Sequence, residues 1–506
     1  MIIDLIRRKS SAILFVCLLV LIYFPLFLHL DYMPIRMWDE SILGTNAIEM
    51  GQNHHYIVTY FNGIPEMSNT KPPLVIWCIL LFSKVLGFSE LSLRLPSALA
   101  ALVLCVFLFL VLRKYTGSAV FGFFTVCVLV TCRGYIRNHV TRTGEYDSML
   151  VLFSTMASIC LFLAVEAFQK RTQSKYLFLF FFMLTLALLT KGVACMMMMP
   201  GLFIYVLLRK KAVSFLSNRS FYIGLSFFLL FGVGYYFLRE SLNPGYLKAV
   251  WENELGGRYN STYEGHDGAF SFYLTEMINW QFADYYLLFP IAAIIALAFP
   301  ANRIRRLAGF SLVTCFTFIF IISAAATKLP HYDAPAFPFL AIITAALFYS
   351  IYNILSALMK NRWPLFPANI AAFILVLLLL TKPYSDMIAT VYFPHGDSWE
   401  EGFSNQCRFF QAVASHHEKL PANKLVYNTS KLKYGPLAVL NCYKEELGER
   451  GENFLVIDPR QVHETDTLLV LDHWNIRPQL EQQFRVSKIA SINKYNIECI
   501  SITNKK

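Results

Sequence analysis

Long apolar runs separated by short polar stretches dominate the first three quarters of the chain. The first run, Ser11–Leu30, is 20 residues without Lys, Arg, Asp or Glu, enough for a helix across a hydrocarbon core of about 30 Å. Basic residues 7–9 precede it and no small-residue cleavage site follows, which predicts a retained signal anchor with a cytoplasmic N-terminus. Further apolar runs lie near residues 73–88, 95–112, 119–132, 148–167, 177–190, 193–208, 221–238, 285–300, 307–326, 335–353 and 364–381.

Basic clusters between these runs predict which side of a membrane each loop occupies. The clusters lie at residues 7–9, 113–114, 170–175, 209–219, 303–306 and 360–362. If all are cytoplasmic, each consecutive pair encloses an even number of spans. The first interval holds three runs, so either the short run 73–88 does not cross or another span exists. We therefore expect about 11 spans, with 12 or 13 as alternatives.

The same reasoning places four polar stretches on the outer side of the membrane: residues 31–72, 133–147, 239–284 and 327–333. A final span near 364–381 then puts the remaining tail outside as well. The expected fold is a mainly α, polytopic bundle over residues 1–385.

From about residue 382 the pattern changes. Apolar segments shorten to "NKLVYN", "PLAVLNCY", "NFLVID", "TLLVLD" and "ECISI", each of strand length, and "SNQCRFFQAVASHHEKL" has the pattern of an amphipathic helix. We expect a small outer α/β domain over residues 390–506.

Composition supports a membrane protein. The 506 residues are 56% hydrophobic and 15% charged, whereas soluble domains carry about 25% charged residues. The net charge of +11 does not indicate nucleic-acid binding, because many of the charges lie in short loops between apolar runs. No CxxC motif occurs and only Cys407, Cys442 and Cys499 lie in the polar tail, which argues against a cysteine zinc site and leaves a disulfide among them open.

Acidic and basic residues concentrate in the predicted outer stretches. Asp39 and Glu40 follow the first span in "MWDESILG", and Lys71 precedes two prolines in "TKPPL". Glu145 and Asp147 lie in "RTGEYDSML", with three arginines nearby. Each has an ordinary explanation: acids solvated among headgroups, a snorkelling lysine, or a structural acid–arginine cluster. The alternative is a site for an anionic headgroup.

Two further outer segments carry cations and aromatic residues. Arg258 lies in "WENELGGRY", and Lys328, His331 and Tyr332 lie in "TKLPHYDAP" between two spans. Lysine, arginine and tyrosine together make a plausible clamp for a phosphate or pyrophosphate.

The ordered set "WDE", "KPPL", "RLPSAL", "RTGEYD", "LTKG" and "KLPHY" resembles the GT-C superfamily of membrane glycosyltransferases. Within it, the chain most resembles the bacterial aminoarabinose transferases of lipid A and the protein O-mannosyltransferases. The resemblance covers about residues 1–350. It implies a sugar donor on undecaprenyl or another polyprenyl phosphate, and inverting transfer to lipid A, a glycan or a protein at the outer face of the bacterial inner membrane.

The resemblance also implies roles for individual residues. Asp39 matches the catalytic acid and Asp147 a second acid. Lys71 and Arg258 match residues that hold the lipid phosphate. Lys328 and Tyr332 fall near the same headgroup, with Glu40, Glu145 and His331 as accessory candidates.

The chain departs from the aminoarabinose transferases at two positions. Thr70 stands where a Glu usually precedes the "KPP" lysine, and Leu255 stands where a His usually follows the loop glutamate. Those are that family's candidate metal ligands, so their replacement puts metal binding and the lipid A acceptor in doubt.

A flippase or transporter of a lipid-linked sugar is the main alternative from another class. Transporters carry ionisable groups near the membrane midplane and often show internal repeats. Here the charges cluster towards one side and no repeat is visible, which favours an enzyme. An O-antigen ligase or polymerase is the nearer alternative, since it also uses polyprenyl donors.

Overall fold

The computed structural model describes residues 2–256, 262, 265–361, 363–394, 401–426, 435–471 and 476–505. The first part of the chain is almost entirely helical. Its helices are α1 (Ile2–Phe27), α2 (Asp39–Asn53), α3 (Leu74–Leu86), α4 (Glu90–Thr116), α5 (Ala119–Val130), α6 (Asp147–Glu166), α7 (Lys170–Lys191), α8 (Met199–Leu208), α9 (Ala212–Leu216), α10 (Arg219–Phe227), α11 (Gly234–Leu242), α12 (Tyr246–Val250), α13 (Phe272–Glu276), α14 (Phe289–Ala298), α15 (Asn302–Ala324), α16 (Phe337–Lys360), α17 (Leu365–Leu378) and α18 (Thr381–Tyr392). A short hairpin, β1 (Tyr60–Phe61) and β2 (Ile64–Pro65), follows α2.

Within the described residues, six helical segments are long and apolar enough to span a membrane: Glu90–Thr116, Asp147–Glu166, Lys170–Leu208, Arg219–Leu242, Asn302–Ala324 and Pro330–Lys360. The bent pair α17 and α18, with an angle of 50°, is a seventh candidate. Four shorter apolar helices of 10–17 residues lie at Ser11–Phe27, Leu74–Leu86, Ala119–Val130 and Phe289–Ala298. The expected 11 spans are reached only if the bent pair and all four short helices cross. The mainly α, multi-pass fold class is confirmed.

Several of these segments are interrupted by other helix types. Helix α7 ends at Lys191 because Gly192 has a φ of 63°, and a 3₁₀ stretch continues from Gly192 to Met198. A Cβ at Gly192 would also lie 2.9 Å from the Tyr236 hydroxyl. A left-handed residue that packs this closely favours glycine. Further breaks are the π segments Phe228–Val233, Trp251–Gly256 and Met277–Gln281 and the 3₁₀ segment Pro330–Ala336.

A small sheet domain forms the C-terminal part. It contains α19 (Glu401–Ala414), β3 (Lys424–Val426), α20 (Gly435–Glu449), β4 (Leu455–Ile457), β5 (Thr467–Leu471), α21 (Ile476–Gln483), β6 (Phe484–Ile492) and β7 (Ile497–Lys505). The sheet order is β4-β3-β5-β7-β6; β3 is parallel to β4 and β5, whereas β7 is antiparallel to β5 and β6.

The amphipathic helix predicted at "SNQCRFFQAVASHHEKL" is present as α19. The strand predicted at "PLAVLNCY" is wrong, because this segment lies inside α20. Its apolar residues are buried on a helix rather than in the sheet, a distinction that a short apolar run does not make.

Candidate active site

Several of the predicted site residues lie close together at one end of the helical bundle. Asp147 is the first residue of α6 and Lys191 is the last residue of α7. The two helices are consecutive and pack against each other, so the start of one and the end of the other lie side by side. Asp39 begins α2 and joins them at this end, since its charge acts on both Asp147 and Lys191.

Asp147 and Lys191 form a buried ion pair. The Lys191 ammonium donates to both carboxylate oxygens of Asp147, at 2.7 and 2.6 Å. It also lies 5.0 Å from the centre of the Tyr332 ring, a cation–π contact. The pair therefore places a fixed positive charge at the end of the bundle without leaving that charge uncompensated.

A cavity of about 100 Å³ lies beside this pair. One part of its wall is polar and comes from Lys71, Asp147, Lys191, Glu254, Thr327 and Tyr332. The other part is apolar and includes Val193, Met197, Phe318 and Ile322. Charged and apolar walls in one cavity suit an amphiphile with a charged head.

Lys71 lies on the polar wall, close to Glu254. Its ammonium is 3.8 Å from Glu254 Oε1 and 5.2 Å from the centre of the Tyr146 ring. The Thr70 hydroxyl donates to the same Glu254 oxygen at 3.2 Å. Both residues of the "TK" pair thus contact Glu254, which lies in the segment Trp251–Gly256.

Glu40, an accessory candidate, lies in a different environment from its neighbour Asp39. It is fully buried and accepts hydrogen bonds from the Arg94 guanidinium and from the backbone N–H groups of Arg36 and Gly144. Burial alone would raise the pKa of Glu40, but Arg94 and the two N–H groups hold it below the ordinary value. Its carboxylate is occupied in tying the start of α2 to α4.

Asp39 belongs to a second cluster, with His139 and Glu145. One ligand atom from each of the three lies within 4.8 Å of the other two. His139 Nδ1 is 2.9 Å from Glu145 Oε2, and the His139 ring stacks on the ring of His331 at 4.9 Å. His139 has a φ of 66°, and its N–H donates to Thr143 Oγ1 at 2.8 Å, which holds the turn in this uncommon conformation.

The remaining predicted residues fall at different distances from the cavity. Tyr332 lines it. Lys328 lies outside its lining: its N–H donates to the carbonyl of His266 at 3.0 Å and its ammonium donates to the carbonyl of Ala325. Arg258 lies outside the described residues, so its proposed role remains a prediction.

Sequence reasoning assigned no role to three residues that the structure places in the site: Lys191, His139 and Glu254. Lys191 lies in the "LTKG" motif at the end of an apolar run, and this motif was the only indication in the sequence that Lys191 belongs to the site. His139 lies in a turn and Glu254 in the short π segment Trp251–Gly256, and neither stretch has a periodic pattern that marks a site. Only the three-dimensional proximity of the loops shows their partners.

The residues present do not reproduce the metal ligands of the aminoarabinose transferases. Thr70 offers a hydroxyl that donates to Glu254, and the residue after Glu254 is the apolar Leu255. The cluster of Asp39, His139 and Glu145 offers two carboxylates and an imidazole, a set that divalent transition metals accept. If this chain holds a cation, the chemistry of its donors favours that cluster.

Comparisons with known proteins found similar sequences. Residues 70–236 match the family model of dolichyl-phosphate-mannose-protein mannosyltransferases. An uncharacterized protein of Aquifex aeolicus is 32% identical over 337 residues, which cover 65% of this chain and 63% of that protein. The mannosyltransferase-like protein YycA of Bacillus subtilis is 30% identical over 179 residues, 34% of this chain and 25% of YycA. The chain thus spans less than two thirds of the length of either relative.

The fold is similar to that of a solved membrane protein. The crystal structure of ArnT from Cupriavidus metallidurans bound to undecaprenyl phosphate superposes with a TM-score of 0.70 over 98% of both chains, at 14% identity. An identity this low speaks for the fold alone. The ordered motifs, the match over residues 70–236 and the shared fold together support the resemblance to the GT-C superfamily of membrane glycosyltransferases.

Proposed function

We propose that this protein is an inverting glycosyltransferase that moves a sugar from a polyprenyl phosphate, such as undecaprenyl phosphate, to an acceptor hydroxyl or phosphate. The cavity carries the proposal, because it joins two lysines to an apolar wall. A polyprenyl phosphate has the matching parts, an anionic head and a hydrocarbon chain. The bound undecaprenyl phosphate of the ArnT crystal structure is consistent with a ligand of this class.

The departing phosphate needs positive charge where negative charge develops. Lys71 and Lys191, which both line the polar wall, supply it. Asp147 holds Lys191 through two hydrogen bonds, so this charge is placed before the substrate arrives. Glu254 lies 3.8 Å from Lys71, and a phosphate that binds the same ammonium would compete with it. Arg258, four residues further along the loop, is a further candidate cation.

An acceptor hydroxyl needs a base when it attacks the sugar. Asp39 is the candidate, since it lies at the start of α2, is only half-buried and interacts electrostatically with the Asp147–Lys191 pair. Glu40 is excluded from this role by its ion pair with Arg94. An acceptor phosphate would need no strong base, and Asp39 would then orient it. The acceptor class, lipid A, glycan or protein, stays open.

The predicted sidedness completes the proposal. If the basic clusters between the apolar runs are cytoplasmic, this end of the bundle and the C-terminal domain lie on the outer face of a bacterial inner membrane. A donor of this kind and an acceptor from the outer leaflet or the periplasm would meet there.

The test is a titration of a polyprenyl-phosphate sugar against purified protein in detergent, for wild type, Lys71→Gln and Lys191→Gln, with Arg258→Gln as a third variant. Losing one charge-assisted hydrogen bond should weaken donor binding about ten- to a hundredfold. Lys248→Gln, which removes an exposed lysine paired with Glu252, is the matched control and should leave binding unchanged. Unchanged affinity in all three site variants would leave membrane snorkelling as the better explanation of the lysines.

A further inference from the structure

The C-terminal domain contacts the segment that carries Asp39. Helix α20 packs along α2, and the contact is polar as well as apolar. The Thr45 hydroxyl donates to the carbonyl of Ala438 at 3.2 Å. The Cys442 thiol donates to the carbonyl of Ser41 at 3.5 Å. These groups are buried, so the two helices satisfy hydrogen bonds that water does not reach.

Close approach of the two helices depends on a glycine. A Cβ at Gly44 would lie 2.7 Å from Cys442 Sγ and 3.3 Å from the Phe88 ring. A larger residue at this position would separate α20 from α2. The contact is therefore specific to this pair of surfaces.

The hydroxyl of Tyr443 connects α20 to the chain just before Asp39. It accepts the N–H of Ile35 at 3.0 Å and donates to Glu90 Oε1 at 2.9 Å. Tyr443 is fully buried. One side chain of the C-terminal domain thus joins the entry to α2 with the start of α4.

The residue directly before Asp39 is held in an uncommon conformation. Trp38 has a φ of 69°, which costs free energy for a bulky residue and persists only where the surroundings impose it. Gly435, the first residue of α20, lies against it: a Cβ there would be 3.5 Å from the Trp38 ring and from Met37. The C-terminal domain is therefore part of what imposes this turn.

We propose that α20 positions Asp39, so that the C-terminal domain completes the active site rather than merely covering it. Tyr443, Thr45 and Cys442 are the positioning residues, because their contacts hold α20 against the segment that carries Asp39. The inference rests on the proposed function for Asp39. Loosening α20 should lower the rate of sugar transfer while donor binding at the cavity remains.

The first experiment uses Tyr443→Phe in the full-length protein, which removes both hydrogen bonds and keeps the ring. We expect kcat to fall about tenfold, the loss of one or two hydrogen bonds that orient a reacting group, with the donor KM unchanged. The thermal unfolding temperature should fall as well, because the buried Ile35 N–H and the Glu90 carboxyl lose this partner. Lys444→Ala on the exposed side of α20 is the control. A wild-type kcat in Tyr443→Phe would overturn the proposal.

The second experiment distinguishes positioning from lost stability. Thr45 Oγ1 lies 3.9 Å from Cys442 Sγ, so Thr45→Cys offers a disulfide partner across the contact. In the Tyr443→Phe background, the oxidised Thr45→Cys variant should regain turnover and lose it again on reduction. A disulfide that forms without raising turnover would refute the positioning role of the contact. If wild type itself transfers no sugar from a polyprenyl phosphate, the proposed function fails, whereas disulfide formation still reports on the contact.

Discussion

Arg94 binds Glu40 through two parallel hydrogen bonds, from Nε to Oε1 at 2.8 Å and from Nη2 to Oε2 at 2.9 Å. Both side chains are almost completely buried. The remaining donors of Arg94 reach the carbonyls of Leu30, Met33 and Pro34. The two adjacent acids of "WDE" therefore do different things: Glu40 ties three segments together, and Asp39 faces the cluster with His139 and Glu145.

Replacing Glu40 by Gln should destabilise the protein strongly. It leaves a buried Arg94 without its charge partner, and breaking such a pair costs about 3–5 kcal/mol. Thermal unfolding of the purified protein measures the loss. Glu252→Gln removes an exposed acid paired with Lys248 and should change stability by less than about 1 kcal/mol. Equal unfolding temperatures for Glu40→Gln and wild type would contradict the structural role of the Glu40–Arg94 ion pair.

Replacing Asp39 by Asn should abolish transfer and leave the fold intact. Asp39 is half-buried, so an amide of the same shape fits, whereas it has no basic oxygen to accept a proton. Donor titration and transfer assays on the same preparation separate the two effects. Asp147→Asn should also reduce transfer, because Lys191 loses its ionic partner, and Glu145→Gln should matter less. Near-normal turnover in Asp39→Asn would remove it from the catalytic role.

The Asp39, His139 and Glu145 cluster should determine any cation binding. We expect Mn²⁺ to bind the purified protein and His139→Ala to lose that binding, because an imidazole and two carboxylates are the ligands this cluster offers. Paramagnetic resonance of free Mn²⁺ measures it without an activity assay. Glu254→Gln, at the position of the aminoarabinose transferase ligands, is the comparison. Binding lost in Glu254→Gln but kept in His139→Ala would place the cation at the other position.

The sidedness of the chain can be measured by cysteine labelling in spheroplasts. An impermeant maleimide should label Ile64→Cys, on the β1–β2 hairpin, and Lys444→Cys, on the C-terminal domain. Both positions are exposed in the structure. The wild-type cysteines are buried except Cys78, which is half-buried, and Cys17, which is exposed on α1, so the unmodified chain gives the background. Protection of either new cysteine in intact spheroplasts, with labelling after lysis, would contradict the outer placement.

The α20 contact should weaken as pH rises. Burial, and then the charge of Glu90, raise the pKa of Glu446 to about 8 from an ordinary 4.5, against the opposing effect of Arg450. Glu446 also faces Glu449, and Tyr443 and Cys442 lie on the same helix. A carboxyl with a raised pKa stabilises the folded state fully below its unfolded pKa, and this contribution is lost as pH rises through the folded value.

Stability of the C-terminal domain should therefore fall between about pH 5 and pH 9. Glu446→Gln, which stays neutral, should flatten this dependence. Hydrogen exchange of α20 at several pH values measures it locally. A wild-type profile that is flat, or one that Glu446→Gln leaves unchanged, would assign the pH response elsewhere.

Local patterns in the sequence by themselves determined much of this protein. Apolar length indicated that helices dominate, and the change in pattern near residue 382 indicated the sheet domain of the C-terminal part. Asp147 at the start of an apolar run became the first residue of α6, because an acid suits a helix N-terminus. The ordered motifs indicated a resemblance to the GT-C superfamily, and the family-model match and the shared fold support it.

Only the tertiary structure decided which charges meet. Lys191 lies 44 residues from Asp147, and Arg94 lies 54 residues from Glu40; neither pairing follows from helix periodicity, which relates residues three or four apart. "PLAVLNCY" became a helix because its apolar residues pack against α2, and that surface is not visible in the segment itself. Burial then separated Asp39 from Glu40, two neighbours that a sequence presents as equal. Pairing and burial depend on how helices pack across long separations, and that information is distributed over the whole chain.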